Sequence, residues 1–268
     1  MCIRDSESLA EAFATGVRDQ GLNSVDIGLA STDMCYFASG YFDFPAAMIT
    51  ASHNPAEYNG LKICMNKARP VGQDSGLREI LEIVNALPER QSVIGSIEKI
   101  DVLSEFADHV CSVIDTSNLR DLKVVADTAN GMGGLILPPV FKKLPFELEI
   151  LFPELDGNFP NHPADPLRQE NQEYLRQRVL ETKADVGLAF DGDADRVFLL
   201  DEKGESISGS LTTALIADQI LAERPDESVI YNLICSKVVP EVILERGGIG
   251  IRSRVGHSFI KELSLKHI

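Results

Sequence analysis

Segments with strand-like and helix-like patterns alternate along most of this chain, and this alternation limits its fold more than any other feature. Short apolar runs such as "AAMITAS", "LKVVADTA" and "ADVGLAF" have the length and character of buried strands. Longer stretches with helical periodicity lie between them, including "SGLREILEIVNAL" and "QENQEYLRQRVLET". Strands that alternate with helices predict an α/β fold.

The α/β pattern restarts twice, which predicts three successive domains. The turn-rich stretch at 88–101 is only weakly periodic and is predicted to end the first domain, and a second restart follows "EKGESISGS". We therefore predict domains at 1–101, 102–206 and 207–268, although we find no clean internal period. No strand precedes the first helix, and the last residues stop within a helical pattern. We expect a fragment that is truncated at both ends.

The charge balance limits the partners of this protein. The chain has 25 Lys and Arg against 41 Asp and Glu, which gives a net charge of -16. Such a surface repels nucleic acids and anionic membranes, so we expect neither as a partner. The 5 cysteines are widely spaced and include no C-x-x-C pair, a pattern that favours reduced thiols in a cytoplasmic protein over disulfides or a zinc site.

An acidic loop, "DGDADR", places Asp191, Asp193 and Asp195 at alternate positions. Carboxylates this close repel one another unless a cation neutralises them, and oxygen ligands suit magnesium, calcium or manganese. A calcium-loop interpretation would place Glu202 at the twelfth position, but Arg196 stands where the loop needs glycine, and the flanking segments are strand-like. A metal loop at the end of a strand is therefore favoured, with an acidic solvated turn as the alternative.

A second loop, "TASHNP", places Ser52, His53 and Asn54 together at the end of a strand-like run. One interpretation is a plain turn, because Ser and Asn bond their own backbone and Pro fixes φ. The chain lacks the G-x-S-x-G motif of hydrolases and the P-loop motif. A serine beside a tri-aspartate metal site is, however, an arrangement for phosphoryl transfer, in which a nearby Lys or Arg stabilises the developing charge.

Several motifs occur in order along residues 7–268: "TASHNP" with "NGLKI", then "DGNFPNHPADP", "DGDADR" and "RVGHSFIK". In this the chain resembles the α-D-phosphohexomutase family, and within it the bacterial phosphomannomutase/phosphoglucomutase members. The resemblance implies repeated three-layer α/β domains with mixed sheets around a cleft. It also implies that the third domain is incomplete here and that a fourth is missing.

The resemblance implies roles for residues at the two loops. Ser52 would be the phosphorylated serine, and its phosphate would join three aspartates as ligands of Mg²⁺. Lys62 would be the acid or base near the serine, and His53 would shape the serine loop. The implied metal ligands are Ser52, Asp191, Asp193 and Asp195.

Three further residues are assigned to substrate binding by the same resemblance. Arg196 would contact the phosphate with the paired donors of its guanidinium group. His257, in "RVGHSFIK", would face the substrate. Lys237 is a looser assignment, because some relatives have their basic residue at the position of Ile234 instead.

The implied reaction transfers phosphate reversibly between the 1- and 6-positions of a hexose phosphate, through a hexose 1,6-bisphosphate. Phosphoglucosamine mutase is the alternative within the family, although its serine loop more often begins with Ser than with Thr50. A non-catalytic sugar-phosphate or metal-binding fragment and a phosphatase are alternatives of other classes. Because the parts that contact the sugar and clamp its phosphate are missing, we expect this chain to have weak mutase activity or none.

Overall fold

The computed structural model describes residues 3–55, 57–256, 259–261 and 263–264, without the side chains of residues 3–6 and 74. The elements of the first unit are α1 (Ile3–Asp19), β1 (Ser24–Asp26), α2 (Thr32–Phe42), β2 (Ala46–Ile49), β3 (Leu61–Met65), β4 (Arg69–Pro70), α3 (Arg78–Asn85) and β5 (Ile97–Lys99). Strands β2, β3 and β4 form an antiparallel sheet, whereas β1 pairs with β5 in parallel.

The second unit contains the largest sheet. Its elements are α4 (Leu103–Ser112), β6 (Leu122–Asp127), α5 (Gly133–Phe141), β7 (Phe146–Leu151), α6 (Glu173–Thr182), β8 (Val186–Phe190), β9 (Val197–Leu200) and β10 (Ser206–Ile207). The strand order is β10-β9-β8-β6-β7, with β6 parallel to β7 and β8 and with β9 antiparallel to both of its neighbours. The sheet is therefore mixed, as the resemblance implied.

Neighbouring residues of the inner strand β6 face opposite sides of this sheet. Ala126 packs into a core with α4 and α5, while Val125 packs into a second core with Leu175 and Val179 of α6. This alternation follows from the two-residue period of a strand. The sheet thus lies between two helical layers, and the predicted α/β fold class with mixed sheets is confirmed.

The third unit pairs two strands with two helices. Its elements are α7 (Gly209–Glu223), β11 (Ser228–Asn232), α8 (Val238–Glu245) and β12 (Ile249–Ser253). The two strands are parallel, and residues such as Leu221 and Ile243 form a core between α7 and α8. Within the described part of the chain, no helix is both long enough and apolar enough to cross a membrane.

One core is shared by the first two units and fixes their relation. Ala30, just before α2, and Met34, in its first turn, pack in the same cluster as Phe106 of α4 and Met132 before α5. Ala194, the small residue within the acidic loop, belongs to that cluster too. The N-terminal end of α2 is thereby held against the acidic loop of the second unit.

Candidate active site

The two loops singled out in the sequence meet at one place in the structure. The serine loop joins β2 to β3, and the acidic loop joins β8 to β9. The hydroxyl of Ser52 donates a hydrogen bond of 2.8 Å to Oδ2 of Asp191, which lies 139 positions further along the chain. The site is therefore assembled between the first and second units.

The serine loop holds its serine in an uncommon backbone conformation. Ser52 has a φ of 56°, and the left-handed region costs a residue other than glycine about 1–2 kcal/mol. The loop is braced by hydrogen bonds from Ser52 N–H to Thr50 Oγ1 at 2.8 Å and from Thr50 N–H to the Gly60 carbonyl at 3.0 Å. A Cβ at Gly60 would lie only 3.0 Å from the Thr50 carbonyl oxygen. Backbone strain like that at Ser52 is common where a loop positions a functional side chain.

The acidic loop is a tight turn organised by its first aspartate. Oδ1 of Asp191 accepts the backbone N–H groups of Asp195 and Arg196, each at 3.1 Å. Ala194 completes the turn with a φ of 55°. The side chains of Asp191 and Asp193 are fully buried, whereas 23% of the Asp195 side chain is exposed. The turn therefore directs the three carboxylates to one largely buried point.

These carboxylates fit a hard divalent cation. One oxygen from each of Asp191, Asp193 and Asp195 lies within 4.8 Å of the others. Among the described residues, Oδ1 of Asp193 is buried and has no hydrogen-bond partner. A buried carboxylate oxygen without a partner is costly unless a cation binds it. A donor set made only of oxygens suits Mg²⁺, Ca²⁺ or Mn²⁺ better than softer metals.

The other oxygen of Asp193 is fully engaged by the first unit. Its Oδ2 accepts hydrogen bonds from Lys62 Nζ at 2.7 Å, from the Thr32 hydroxyl at 2.7 Å and from the Thr50 hydroxyl at 3.1 Å. Lys62 also reaches Asp195, with 2.6 Å between Nζ and Oδ2. The first unit thus orients two of the three carboxylates.

Burial and charge perturb the protonation of this cluster. Burial raises the pKa of Asp191 to about 6, and the negative charge of Asp193 acts in the same direction. Burial also acts to raise the pKa of Asp193, but the hydrogen bond and the charge of Lys62 hold it below its ordinary value. Burial lowers the pKa of Lys62, yet its two carboxylate partners outweigh burial and raise it. Three carboxylates against the two cations Lys62 and Arg196 leave excess negative charge for a metal ion to neutralise.

Arg196 links the two loops on the other side of the serine. Its Nη2 lies 2.6 Å from Asp191 Oδ2 and donates to the Ser52 hydroxyl at 2.8 Å. The same nitrogen donates to Nδ1 of His53 at 2.5 Å. Burial, followed by the positive charge of Arg196, lowers the pKa of His53, which favours the neutral imidazole that can accept this bond.

The structure brings most of the predicted site residues into this one cluster. The predicted residues that meet here are Ser52, His53, Lys62, Asp191, Asp193, Asp195 and Arg196. Lys237 is exposed at the start of α8, and none of the hydrogen bonds and ion pairs found in the described part of the chain joins it to the cluster. His257 lies outside the described residues. Sequence reasoning missed Thr32 and did not give Thr50 a role.

The fold and these loops define an α/β protein in which a serine hydroxyl lies against three aspartates that could hold a cation. Sequence models of three phosphoglucomutase/phosphomannomutase domains match this chain. Domain I matches residues 4–91, domain II matches 104–204, and domain III matches 208–267.

Relatives of known sequence and structure agree with these matches. The chain is 37% identical to a phosphomannomutase of Vibrio cholerae over 96% of its own length and 57% of the relative's. It is also 37% identical to a phosphomannomutase of Escherichia coli K12, over 96% of this chain and 58% of that protein. A solved phosphoglucomutase/phosphomannomutase family protein from Burkholderia thailandensis superposes with a TM-score of 0.89 at 31% identity, covering 97% of this chain and 58% of that one.

The chain therefore belongs to the phosphoglucomutase/phosphomannomutase family, which confirms the resemblance seen in its motifs. It spans somewhat more than half the length of the curated relatives that it matches.

Proposed function

We propose that this chain carries the phosphoserine and metal sites of a hexose-phosphate mutase, which interconverts the 1- and 6-phosphates of mannose or glucose. The observation that carries the proposal is the position of the Ser52 hydroxyl, 2.8 Å from both Asp191 Oδ2 and Arg196 Nη2. A serine with a carboxylate cluster on one side and a guanidinium on the other is poised to carry a phosphoryl group. The curated relatives, which are phosphomannomutases, support the same assignment.

The metal belongs to this proposal as Mg²⁺. Asp191, Asp193 and Asp195 would hold it, together with an oxygen of phosphorylated Ser52. When bound, the cation would neutralise the negative charge that develops on the transferring phosphoryl group. The unpartnered, buried Oδ1 of Asp193 supports a ligand at this point.

Three side chains around Ser52 have separate proposed roles in the transfer. Arg196 holds the serine oxygen and presents planar donors to phosphoryl oxygens. His53 accepts a hydrogen bond from Arg196 and so fixes the direction of its guanidinium group. Lys62 is held as an ammonium ion by Asp193 and Asp195, so in this arrangement it can donate a proton or a hydrogen bond. It can act as a base only after these carboxylate contacts are exchanged.

The substrates are part of the proposal too. A hexose 1,6-bisphosphate is the proposed intermediate, formed when Ser52 gives up its phosphate and consumed when the other phosphate returns. Lys237 and His257 are proposed to contact the substrate. The domain bounds at 1–101, 102–206 and 207–268 are likewise proposals, which the family matches within those ranges support.

A direct test is to incubate the chain with glucose 1,6-bisphosphate and Mg²⁺ and to locate any phosphate by mass spectrometry. We expect phosphate on Ser52, and we expect it to be lost in the Ser52→Ala and Asp193→Asn variants. An unmodified Ser52 in a chain shown to be folded by circular dichroism would count against the proposed transfer site. Steady release of inorganic phosphate would favour the phosphatase alternative.

A further inference from the structure

We propose that Thr32 is a positioning residue of the metal site, which orients Asp193 so that its Oδ1 faces the cation. This inference rests on the proposed function, because it assumes that Asp193 binds a metal. Thr32 is the first residue of α2 and is 1% exposed. It comes from a different unit of the molecule than the aspartate that it contacts.

Thr32 holds Asp193 by both its side chain and its backbone. Its hydroxyl donates to Asp193 Oδ2 at 2.7 Å, and its backbone N–H donates to the Asp193 carbonyl at 3.1 Å. The same hydroxyl oxygen accepts a hydrogen bond of 3.1 Å from Lys62 Nζ. The Thr32 hydroxyl therefore bonds both Asp193 and Lys62, which also bond each other.

These contacts decide which oxygen of Asp193 remains available. A carboxylate oxygen has about two lone pairs, and Oδ2 already accepts hydrogen bonds from Thr32, Thr50 and Lys62. Among the described residues, Oδ1 has no partner. Rotation of the carboxylate would break all three bonds at once, so the donors hold the unpartnered Oδ1 in one direction.

The local structure explains why a threonine suits this position. Ser31 caps α2, since its hydroxyl accepts the N–H of Met34 at 3.1 Å. The N–H groups of a first helical turn have no partner within the helix, so the N–H of Thr32 is free to bond the acidic loop. The branched Cβ of threonine restricts its χ1 rotation. The hydroxyl is therefore held in one direction while Met34 anchors the same turn in the core shared with Ala194.

The test compares Thr32→Val, which keeps the shape and loses the hydroxyl, with Thr32→Ser, which keeps the hydroxyl. Free Mn²⁺ would be titrated by electron paramagnetic resonance in each full chain, since Mn²⁺ uses the same oxygen ligands as Mg²⁺. Removing a residue that orients a metal ligand weakens metal binding by roughly 10–100-fold. We expect a loss in that range for Thr32→Val and an affinity close to that of the unmodified chain for Thr32→Ser.

Ser39→Ala is a matched control on the same helix. Ser39 is buried, and its hydroxyl lies within hydrogen-bond distance of the carbonyls of Phe44 and Met65, away from the acidic loop. This variant should lower the thermal stability and leave the Mn²⁺ affinity unchanged. A second readout is the phosphorylation of Ser52 at increasing Mg²⁺. For Thr32→Val we expect a higher half-saturating Mg²⁺ concentration and an unchanged plateau.

The outcomes separate this inference from the proposed function. Mn²⁺ binding that is equal in the unmodified chain and in folded Thr32→Val would overturn the role of Thr32 and leave the metal site standing. Equal losses in Thr32→Val and Ser39→Ala would show a general structural effect and would also overturn it. No Mn²⁺ binding by the unmodified chain would overturn the proposed metal site, and this inference with it.

Discussion

Arg196 is the residue at which the serine and the acidic loop are most directly joined. Its guanidinium group reaches Asp191, Ser52 and His53 at the same time. A lysine keeps the positive charge but has a single donor nitrogen, so it cannot hold Asp191 through two nitrogens as Arg196 does through Nε and Nη2. Arg196→Lys should therefore slow the phosphorylation of Ser52 by about 10²–10³-fold, the usual cost of losing one donor to a developing negative charge.

The rate is measured as the appearance of phosphorylated Ser52 after mixing with glucose 1,6-bisphosphate and Mg²⁺. Arg176→Lys is the control, because Arg176 forms an exposed ion pair with Glu173 on α6, and such pairs contribute little. An unchanged rate in Arg196→Lys would show that the guanidinium group does not face the transferred phosphate.

His162, in the motif "DGNFPNHPADP", gives a prediction about pH. Its Nε2 lies 3.0 Å from Oδ2 of the buried Asp127, and its Nδ1 lies 3.0 Å from the Pro163 carbonyl. Burial lowers the pKa of His162, but the hydrogen bond and the charge of Asp127 outweigh burial and raise it above 6.5. The ring also stacks on Tyr174. The imidazolium thus stabilises the folded state below pH 6.5, and this contribution is lost as the pH rises through the raised value.

We therefore expect the free energy of unfolding to fall as the pH rises above 6.5, and this fall to be smaller in His162→Gln. At pH 6 the variant should be less stable by roughly 1.5–3 kcal/mol, because it loses the hydrogen bond between the charged imidazolium and Asp127. Urea titrations at several pH values would measure both effects. The exposed His109 provides the control, since His109→Gln should keep the slope. A slope that survives in His162→Gln would assign the pH dependence to other groups.

At the scale of single residues, the sequence singled out the polar residues of both loops, because each loop groups unusual polar side chains between apolar strands. It did not predict Thr32. Nothing in the local sequence distinguishes a threonine at the start of a helix, and its contact with Asp193 spans 161 positions. Long-range partners of this kind are fixed by the packing of α2 against the second unit, which no short motif records.

At the scale of elements, the turn that follows β6 supports the acidic loop. The N–H of Met132 donates to the Gly192 carbonyl at 2.9 Å, and a Cβ at Gly131 would lie 2.6 Å from that carbonyl oxygen. Gly131→Ala would therefore push the two turns apart. We expect a loss of about 1–3 kcal/mol in stability, typical of overpacking, together with weaker Mn²⁺ binding, because the displaced loop carries the proposed metal ligands.

Gly40→Ala is the control for this prediction. Gly40 lies within α2, and a Cβ there would meet no atom within 4 Å. Alanine in an exposed helix position is more favourable than glycine by roughly 0.5–1 kcal/mol, so this variant should gain stability and keep its metal affinity. Chemical denaturation and Mn²⁺ titration of both variants would test the pair. Unchanged Mn²⁺ binding in Gly131→Ala would show that the turn does not support the loop.

The alternation of strands and helices predicted the α/β class well, since it depends on local periodicity. It did not predict how the strands pair. The first unit divides its strands between a two-stranded and a three-stranded sheet, and β1 pairs with β5 across more than 70 residues. The short β10 lies in "EKGESISGS", where two residues are too few to show a period. Pairing depends on tertiary context, whereas element type depends mainly on sequence pattern.

At the scale of the whole molecule, the proposed metal site lies where the first two units share one core. Asp191, Asp193 and Asp195 belong to the second unit, while Thr32 and Lys62 hold two of them from the first. Three carboxylates meet in this cluster, so a bound cation reduces the repulsion between them. A ligand that binds only the folded arrangement stabilises it, by about 2.7 kcal/mol at a concentration of 100 times its dissociation constant.

Because both units contribute to the site, saturating Mg²⁺ should stabilise both of them together. Amide hydrogen exchange should slow in the acidic loop and also in the serine loop and the first turn of α2. Asp195→Asn is the suitable variant, because Asp195 is partly exposed and its amide keeps nearly the same shape. It should lose this Mg²⁺ effect while remaining folded. Protection confined to the acidic loop would show that the metal binds without coupling the two units. The contacts from Thr32 and Lys62 would then be packing contacts between the units rather than supports of the metal site.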